Sequence, residues 1–435
     1  MARRALILVE GASNILGYIQ ASRRLDLHPI ILSADPRCEY LEAEETEVLH
    51  VDTDDLDALM RVCCRLRATY DIAGITSAKE AVYATVGKLC RYFGLPGPNP
   101  ESIERCCDKF TQRQLLAEAG VPIPAYRSAG NATDVENAAA QIGLPVIVKP
   151  AVGISSCGVR LCRRFDELAE HTNYLLGGEH IWRSAPRILV EEFAQGPLYS
   201  AEIMGNEIIG ICAAELGAPP HFVYRECTYP ALLSDDEHER IADVSRSCLR
   251  ALGLGWGPTG IEFRWTTRGP IVIEVNPRLH GRPTPHLVHL AYGVDLIAAH
   301  IKLAIGEEWH LREGHSQTAA ARFLIPDRDG ILDWIDGDTR AAAVPGVAEV
   351  RFHVKPKAPI VRRGDQGDSM GYVLAASPTR ARTEAILQRA MDLIQWSISP
   401  FPILGESEES ASLTSNARQL EEFFAHRPPE ADKSR

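Results

Sequence analysis

Two short runs of strand-forming residues, joined by a turn, carry oxygen-bearing side chains that suit a hard cation. Glu262 lies in the first run, and Glu274 and Asn276 lie two residues apart in the second. Strand alternation places Glu274 and Asn276 on one face, and hairpin pairing brings Glu262 opposite them. Carboxylates among Ile, Val and Phe are costly unless neutralised, and Mg²⁺ takes its remaining ligands from water and phosphate. Arg278 follows closely enough to contact the same phosphate. The pattern predicts a magnesium and phosphate site, and the alternative is a solvated hairpin with surface charges.

A second segment has phosphate-binding character. Lys149 ends the apolar run 144–149 and opens into a loop of small residues. These small residues are Gly153, Ser155, Ser156 and Gly158. Small residues let backbone N–H groups approach a phosphate, and a lysine adds a point charge. The lysine precedes the glycines, so this is not the P-loop pattern. The segment predicts a phosphate-binding loop, and a flexible surface loop is the alternative.

The composition limits the class of protein. The chain has 435 residues, a formal net charge of −12 and 45% hydrophobic residues, which predict two or three globular domains. The acidic balance argues against a general nucleic-acid binder. No apolar run reaches membrane-spanning length, and the N-terminus lacks a secretory pattern. The 11 cysteines form no CxxC motif, which favours a reducing compartment and a cytoplasmic location.

The first 100 residues alternate strands and helices, which predicts an α/β domain with an open parallel sheet. The predicted helices cover residues 17–25, 55–69 and 78–93. The first strand-to-helix turn, at 11–17, lacks a complete GxGxxG pattern, so a nicotinamide-dependent oxidoreductase is not supported. A tight turn without a cofactor is the favoured interpretation there.

The rest of the chain is a mixture of strands and helices. One helix is predicted over 101–119 with Lys109 inside it, and others over 235–252, 292–305 and 379–396, the last with Pro378 at its start. Strands are predicted at 187–193, in the segment that follows the Gly-Pro turn at 196–197, and at 207–216, 318–325, 348–354 and 371–377. The tail from 405 is polar, with one short helix predicted at about 413–425.

The order of these parts resembles the ATP-grasp superfamily of ATP-dependent carboxylate–amine ligases. The matching parts are Lys109, the VIVKP strand with its loop, the VEEF segment at 190–193, and the acidic strands ending in EVNPR. They cover about residues 101–310. The resemblance implies an ATP-grasp fold, with an N-terminal open parallel-sheet domain, a central α+β ATP-binding lobe and a C-terminal lobe.

The predicted division of the chain follows from these parts. The domains are 1–100, 101–310 with a lid at about 125–195, 311–404, and a polar tail at 405–435.

Within the superfamily the chain is most similar to bacterial L-amino acid ligases, which make dipeptides. The segments that carry this likeness are 224–230, 262–264 and 273–278. The resemblance implies that ATP and Mg²⁺, with Mn²⁺ as an alternative ion, are used to convert an amino acid carboxylate into an acyl phosphate. An amine then attacks, giving a dipeptide or related amide with ADP and phosphate. The partners are small molecules, without nucleic acid or membrane, and a homodimer is compatible with the sequence.

The resemblance also implies a role for each matching residue. Lys109 and Lys149 contact ATP phosphates, with Ser155, Ser156 and Gly158 in the loop that closes over them. The adenine is held by the backbone of Glu191, Glu192 and Phe193, and the metal is bound by Glu262, Glu274 and Asn276. Arg278 stabilises the acyl phosphate, and Glu226 lies near the amine. A structural ion pair between Glu226 and an arginine is the alternative for the last role.

Three departures from the family pattern concern the substrates. Leu198 stands where many members carry a ribose-binding glutamate, and Glu202 is only a distant replacement. Tyr229 replaces a frequent histidine near the substrate. After Arg278, the residues His280, Arg282 and His286 either line an unusual substrate pocket or are surface residues.

Two other functions stay open at this point. One is the carboxylation or activation of a small metabolite, as in biotin carboxylase or purine biosynthesis. The other is nucleotide binding without turnover.

Overall fold

The protein is described by a computed structural model that covers most of the chain. The described residues are 2–10, 14–35, 46–153, 155–177, 187–311 and 317–402. The predicted tail at 405–435, with its short helix, lies outside them.

The N-terminal part is a parallel sheet with helices between its strands, as the sequence predicted. Its elements are β1 Arg3–Val9, α1 Ile15–Arg24, β2 His28–Ser33, β3 Glu47–His50, α2 Leu56–Arg67, β4 Tyr70–Thr76 and α3 Tyr83–Phe93. The strand order is β3-β2-β1-β4, and every pair is parallel. The central strands β1 and β2 are apolar and largely buried because helices cover both faces of such a sheet.

The predicted helix over 101–119 is wrong in one respect, because it is two helices. They are α4 Pro100–Cys107 and α5 Lys109–Glu118. Asp108 between them has an extended backbone (φ −95°, ψ 108°), and its carboxylate accepts a hydrogen bond from the Thr111 N–H. Aspartate competes with the helix for these backbone donors and so begins a new helix. Lys109 therefore lies at the start of α5 and not inside a longer helix.

A small antiparallel sheet follows, with two helices packed against its apolar residues. Its elements are β5 Tyr126–Ala129, α6 Ala132–Ile142, β6 Val146–Pro150, β7 Arg160–Cys162, α7 Phe165–Gly177 and β8 Ile188–Glu192. The strand order is β5-β8-β6-β7. Lys149 lies near the end of β6, where the predicted phosphate loop begins.

The remaining elements build an eight-stranded sheet, its covering helices and a three-stranded sheet. They are β9 Leu198–Met204, β10 Glu207–Leu216, β11 Tyr224–Tyr229, α8 Asp235–Leu252, β12 Pro258–Thr266, β13 Gly269–Asn276, α9 Thr284–Tyr292, α10 Leu296–Ala304, β14 Thr318–Leu324, β15 Gly330–Asp336, α11 Asp338–Ala342, β16 Val347–Phe352, β17 Pro359–Ile360, β18 Gly371–Ser377, α12 Arg380–Met391 and β19 Gln395–Ser399. The large sheet has the order β13-β12-β9-β10-β11-β14-β18-β16, and the small one β17-β15-β19. The predicted hairpin is confirmed as β12 and β13.

Two predicted helices have different boundaries in the structure. The helix expected over 292–305 is the pair α9 and α10, because Gly293 ends α9 in a left-handed conformation (φ 71°) and Asp295 caps α10. The helix expected over 379–396 ends at Met391, and the residues that follow form β19. Its N-cap is Thr379, whose side chain accepts a hydrogen bond from the Arg382 N–H.

The two faces of the eight-stranded sheet have different neighbours. Helix α8 packs on one face against β9, β12 and β13, and α12 packs against β14 and β18 on that face. Helix α9 packs on the other face, where Tyr292 contacts the Tyr229 ring. We call the first the α8 face and the second the α9 face.

None of the helices among the described residues is, by itself, both long and apolar enough to cross a bilayer. Only α9 and α10 taken together reach that length and composition, and they are bent by 104° relative to each other.

Candidate active site

Two carboxylates face each other across the hairpin. Glu262 lies directly opposite Glu274, and Gly260 lies opposite Asn276, so the three predicted metal ligands share one face. Burial and the neighbouring Glu274 raise the pKa of Glu262. Burial alone would raise the pKa of Glu274, but Lys109 and other cations lower it. Two partly buried acids and an amide suit a hard cation, since such an ion would relieve the repulsion between the carboxylates.

Lys109 connects this hairpin to the predicted phosphate loop. Its Nζ is 2.9 Å from Glu274 Oε1 and donates a hydrogen bond of 2.6 Å to the Gly153 carbonyl. Burial opposes its charge, but Glu274 raises the pKa of the Lys109 ammonium. The Asp108 cap places this lysine at the start of α5, beside the loop. The structure thus places Lys109 between the hairpin and the loop, and its contact with ATP phosphates stays a prediction.

Lys149 belongs to a buried cluster of charged side chains. The sequence predicted a phosphate contact for Lys149 but did not predict its ion-pair partners. Its Nζ is 2.6 Å from Glu191 Oε2, and Arg113 Nε is 2.6 Å from Glu191 Oε1. Burial lowers the pKa of Lys149, whereas the two cations lower the pKa of Glu191 against the effect of burial. Arg113 also donates to the Ile273 carbonyl in β13. Arg113 was not predicted as a site residue, because its partner Glu191 lies 78 residues further along the chain.

The loop after Lys149 has an unusual backbone. Ser155 and Ser156 both adopt left-handed conformations (φ 58° and 60°), which are sparsely populated for residues with a side chain. Gly158 is also left-handed, and a Cβ there would lie 3.0 Å from Leu175 Cδ2. The Gly158 carbonyl is 2.9 Å from His171 Nε2. The left-handed φ and the close contact with Leu175 favour glycine at 158, and sparsely populated conformations of this kind cluster at active sites and ligand clamps.

The predicted adenine segment lies at the end of β8. The side chain of Glu191 is used in the ion cluster, which leaves its backbone for the predicted contact. Glu192 is 2.6 Å from Arg268 NH2, in the hairpin turn. The Phe193 ring is 6.3 Å from Phe222, over which Arg264 lies at 5.7 Å. These contacts join the segment to the large sheet.

Arg278 is paired with the N-terminal part. Its Nε is 2.8 Å from Glu80 Oε2, in the short turn that follows β4. A carboxyl end of the parallel sheet therefore borders the cluster. Glu80 was not predicted as a partner of Arg278, because the two residues are 198 positions apart in the sequence and form no local motif.

The structure does not bring Glu226 to this cluster. Glu226 Oε2 is 2.7 Å from Arg322 NH2 in β14, and Arg322 also donates to Gln388 in α12, on the α8 face. Regular strand alternation from Tyr229 places Glu226 on the α8 face. A bulge at Arg225 then turns Tyr224 to the α9 face, so Tyr224, not Glu226, faces the site. The Tyr224 hydroxyl donates to Glu262 Oε1 at 3.3 Å. The alternative considered from the sequence, an ion pair with an arginine, is the arrangement found.

Tyr229 does lie on the α9 face, although it is buried. Its hydroxyl donates to Glu202 Oε1 at 3.1 Å, and the same carboxylate is 2.7 Å from His280 Nδ1. Burial, followed by Glu202, raises the pKa of the Tyr229 phenol well above its usual value. Tyr229 is therefore a hydrogen-bond donor that positions Glu202. Leu198 is buried at the start of β9.

Arg282 and His286 face the C-terminal strands. His286 Nδ1 is 3.0 Å from Glu349 Oε2 in β16, and the Tyr372 hydroxyl donates to Glu349 Oε1. Arg282 makes no ion pair with any residue that the structure describes, although its charge contributes to the lowered pKa of Glu349. Both residues thus border a polar group and are not isolated on the surface.

Two family descriptions match adjoining parts of the chain. Residues 108–312 match the ATP binding domain of the carbamoyl-phosphate synthase L chain. Residues 322–399 match the L-amino acid ligase C-terminal domain 2.

Two relatives and one solved structure are similar to half of this chain or more. The protein y4rH of Sinorhizobium fredii is 60% identical over 413 residues, which cover 94% of this chain and 86% of that one. Carnosine synthase 1 of Homo sapiens is 28% identical over 240 residues, which cover 50% of this chain but only 29% of that protein. The crystal structure of L-amino acid ligase from Bacillus licheniformis superposes with a TM-score of 0.78 at 20% identity, over 92% of this chain and 100% of that one.

Proposed function

Because the chain belongs to the ATP-grasp superfamily of carboxylate–amine ligases, we propose that it joins an amino acid carboxylate to an amine. ATP would convert the carboxylate into an acyl phosphate, and the products would be a dipeptide or related amide, ADP and phosphate. The substrates are small molecules, and the protein acts in the cytoplasm without nucleic acid.

The observation that carries this proposal is the cluster at the hairpin. Opposed carboxylates at Glu262 and Glu274 share one site with Lys109, which is 2.9 Å from Glu274. Lys149 approaches from the small sheet. Such a group of acids and cations fits a nucleotide triphosphate held through a divalent ion. The match of the C-terminal part to L-amino acid ligases supports an amino acid as the carboxylate donor.

The metal ligands would be Glu262, Glu274 and Asn276. Bound Mg²⁺, or Mn²⁺ in its place, neutralises charge on the phosphates. Within the described part of the chain no group of three His, Cys, Asp or Glu side chains is close enough to hold a metal alone. A site with two carboxylates and an amide fits an ion that keeps phosphate and water ligands.

The chain's own residues then serve the chemistry by position and charge. A carboxylate oxygen of the substrate attacks the terminal phosphorus, and the bond to the ADP oxygen breaks. Lys109 and Lys149 bind phosphate oxygens, and Arg278 balances charge on the acyl phosphate. The backbone of the loop that holds Ser155, Ser156 and Gly158 covers the phosphates and excludes water, which would otherwise hydrolyse the acyl phosphate.

Phosphate release from Mg-ATP, measured across single and paired amino acids with mass spectrometry of products, tests the proposal. We expect release that requires an amino acid pair and a condensed product. Bicarbonate-dependent release without an amide would instead indicate a carboxylating enzyme. ATP binding with no release for any substrate would indicate nucleotide binding without turnover.

Two glutamate variants provide the controls. Glu274→Ala removes the partner of Lys109 and is expected to abolish release. Glu104→Ala also removes a glutamate paired with a lysine, Lys88 at 2.6 Å, but at an exposed position, and is expected to leave release unchanged.

A further inference from the structure

A partly buried histidine and a buried glutamate form a pair on the α9 face that has no role in the function proposed above. His280 Nδ1 is 2.7 Å from Glu202 Oε1, and the Glu202 side chain is only 4% exposed. Ser200 Oγ and the Tyr229 hydroxyl donate to the same carboxylate oxygen, at 3.2 Å and 3.1 Å. We call this the His280–Glu202 pair. Because Glu202 accepts from Nδ1, the carboxylate determines which ring nitrogen carries the proton.

The position of the His280 ring is fixed by contacts with Asn14 and Gly260. Asn14 Nδ2 donates to the His280 carbonyl at 3.0 Å. The ring lies over Gly260, where a Cβ would come within 2.2 Å of His280 Cε1 and 2.4 Å of Nε2. Gly260 lies opposite Glu202 on one side and Asn276 on the other. The imidazole therefore occupies the sheet surface beside the predicted metal ligand Asn276.

The second ring nitrogen is the unexplained feature. His280 Nε2 is buried and has no hydrogen-bond partner within the described ranges. The two nitrogens of an imidazole point in divergent directions, so Nε2 faces away from Glu202. Leaving a buried polar atom without a partner is costly, and such atoms concentrate where a ligand supplies the missing contact.

The proposed ligation needs a group of this kind. An amine is mostly protonated at neutral pH, and its nitrogen must lose a proton before it attacks the acyl carbon. Glu226, the residue expected from resemblance to serve the amine, is paired with Arg322 on the opposite face of the sheet. Tyr224 and Tyr229 are phenols whose pKa burial raises well above the usual value, which makes them poor bases.

We propose that Nε2 of His280, oriented by Glu202, accepts the proton of the incoming amine. This inference rests on the proposed function. Nε2 takes one proton from the ammonium group, and the freed lone pair forms the C–N bond. The bond between the acyl carbon and the phosphate oxygen then breaks, its electron pair leaves with phosphate, and the second nitrogen-bound proton passes to the departing phosphate.

The charges around His280 determine its pH dependence. Burial and Arg278 lower the pKa of the imidazole, whereas Glu202 and Glu262 raise it, and the net direction is upward. The Tyr229 phenol faces the pair as well. A base acts only when unprotonated, so amide formation declines as the pH falls through the His280 pKa. Glu202→Gln removes the main charge that raises this pKa and therefore moves the decline to lower pH.

Hydroxylamine trapping separates this role from a structural one. Hydroxylamine is largely unprotonated at neutral pH and captures an acyl phosphate without help from a base. His280→Ala should reduce amide formation, from the amino acid pair that the wild type condenses, by about 10²-fold. Hydroxamate formation from the same carboxylate, Mg-ATP and hydroxylamine should stay unchanged. Equal losses of both products, or unchanged amide formation, would overturn the proposal.

A matched control removes a comparable histidine elsewhere. His28 in β2 lies 3.5 Å from a carboxylate oxygen of Glu47 and, like His280, has a buried ring nitrogen without a partner among the described residues. His28→Ala should therefore keep the ratio of amide to hydroxamate at the wild-type value. A changed ratio in that variant would show that loss of any buried histidine has this effect, which also contradicts the proposal.

A second variant decides the matter if His280→Ala does not fold. Glu202→Gln should shift the acidic limb of the amide-forming rate to lower pH and leave the profile of hydroxamate formation in place. An unshifted limb overturns the inference. A wild-type chain that forms neither amide nor hydroxamate would instead refute the proposed function, so the two failures are distinguishable.

Discussion

Glu262 and Glu274 lie directly opposite each other on paired strands, but their partners differ. The Glu274 carboxylate is 2.9 Å from the Lys109 ammonium, whereas the one hydrogen bond that Glu262 accepts from a described side chain is that of the neutral Tyr224 hydroxyl, at 3.3 Å. The pKa of Glu262 is raised by burial and by Glu274, and that of Glu274 is lowered by its cations against the effect of burial. The two acids therefore have opposite effects on the stability of the ligand-free protein.

Replacement of each acid by glutamine should separate stability from function. At pH 7, Glu262→Gln is expected to stabilise the ligand-free protein by about 1 kcal/mol, because it removes a charge that the fold disfavours. Glu274→Gln should destabilise it, because Lys109 loses its partner. Both should reduce phosphate release by at least about 10²-fold. Thermal unfolding without nucleotide and the phosphate assay measure the two effects.

The pH dependence of unfolding tests why Glu262→Gln is expected to stabilise the ligand-free protein. The raised pKa means that folded Glu262 takes up a proton before the unfolded chain does as the pH falls. The wild-type penalty therefore disappears on acidification, and the advantage of Glu262→Gln should shrink between pH 7 and pH 5. A gain that stays constant over this range would contradict the explanation.

The ion pair between Glu226 and Arg322 should matter for stability and not for catalysis. Glu226→Gln leaves a largely buried guanidinium without its carboxylate and is expected to cost about 1–3 kcal/mol of unfolding free energy. Urea unfolding measures this loss, and the rate of product formation per folded molecule should not change. A lowered rate in a stable variant would return Glu226 to the amine-binding role implied by resemblance.

A double-mutant cycle provides the control for that prediction. Arg322→Gln should cost a similar amount, and the double variant should cost less than the sum because the two side chains interact with each other.

His300 should make stability depend on pH. Burial lowers its pKa from the ordinary value to about 3, and its ring nitrogens bond Tyr18, Thr76 and Tyr83 of the N-terminal part. Below pH 6.5 the unfolded chain binds a proton that the folded protein does not, so the free energy of unfolding decreases as the pH is lowered. Between pH 7 and pH 5 this should remove about 2 kcal/mol.

Unfolding free energies of variants at the two pH values isolate this contribution. His300→Gln should be less stable at pH 7 but should lose less on acidification than the wild type. His310→Gln, which alters an exposed histidine, should keep the wild-type slope. An identical slope in His300→Gln would show that another group titrates.

The sequence predicted those features whose information is local. The hairpin register follows from strand alternation, so Glu262 and Glu274 were placed correctly opposite each other. The capping of a helix by Asp108 is also local, but its competition with strong helix formers on both sides concealed it. Strand alternation from Tyr229 is sufficient to place Glu226 on the opposite face, so its position was open to prediction. The bulge at Arg225 brings Tyr224 to the site, and no residue pattern announces such an extra residue.

Partners that are distant in the chain could not be predicted from one sequence. Arg113 and Glu191 are 78 residues apart, and Arg278 and Glu80 are 198 apart. Each charge taken alone fits a solvated surface, and only folding shows that Arg113 and Glu191 are fully buried.

The pairing of β11 with β14 restricts how chains of this kind recombine. It joins the strand that carries Tyr224 to strands that lie after residue 310, and four residue pairs run along this seam from Glu226 to Tyr229. A chimera that exchanges only the C-terminal segment also changes the neighbour of the strand whose Tyr224 hydroxyl contacts Glu262. We therefore expect engineered crossovers to preserve the candidate site only when both edges of this seam come from one parent.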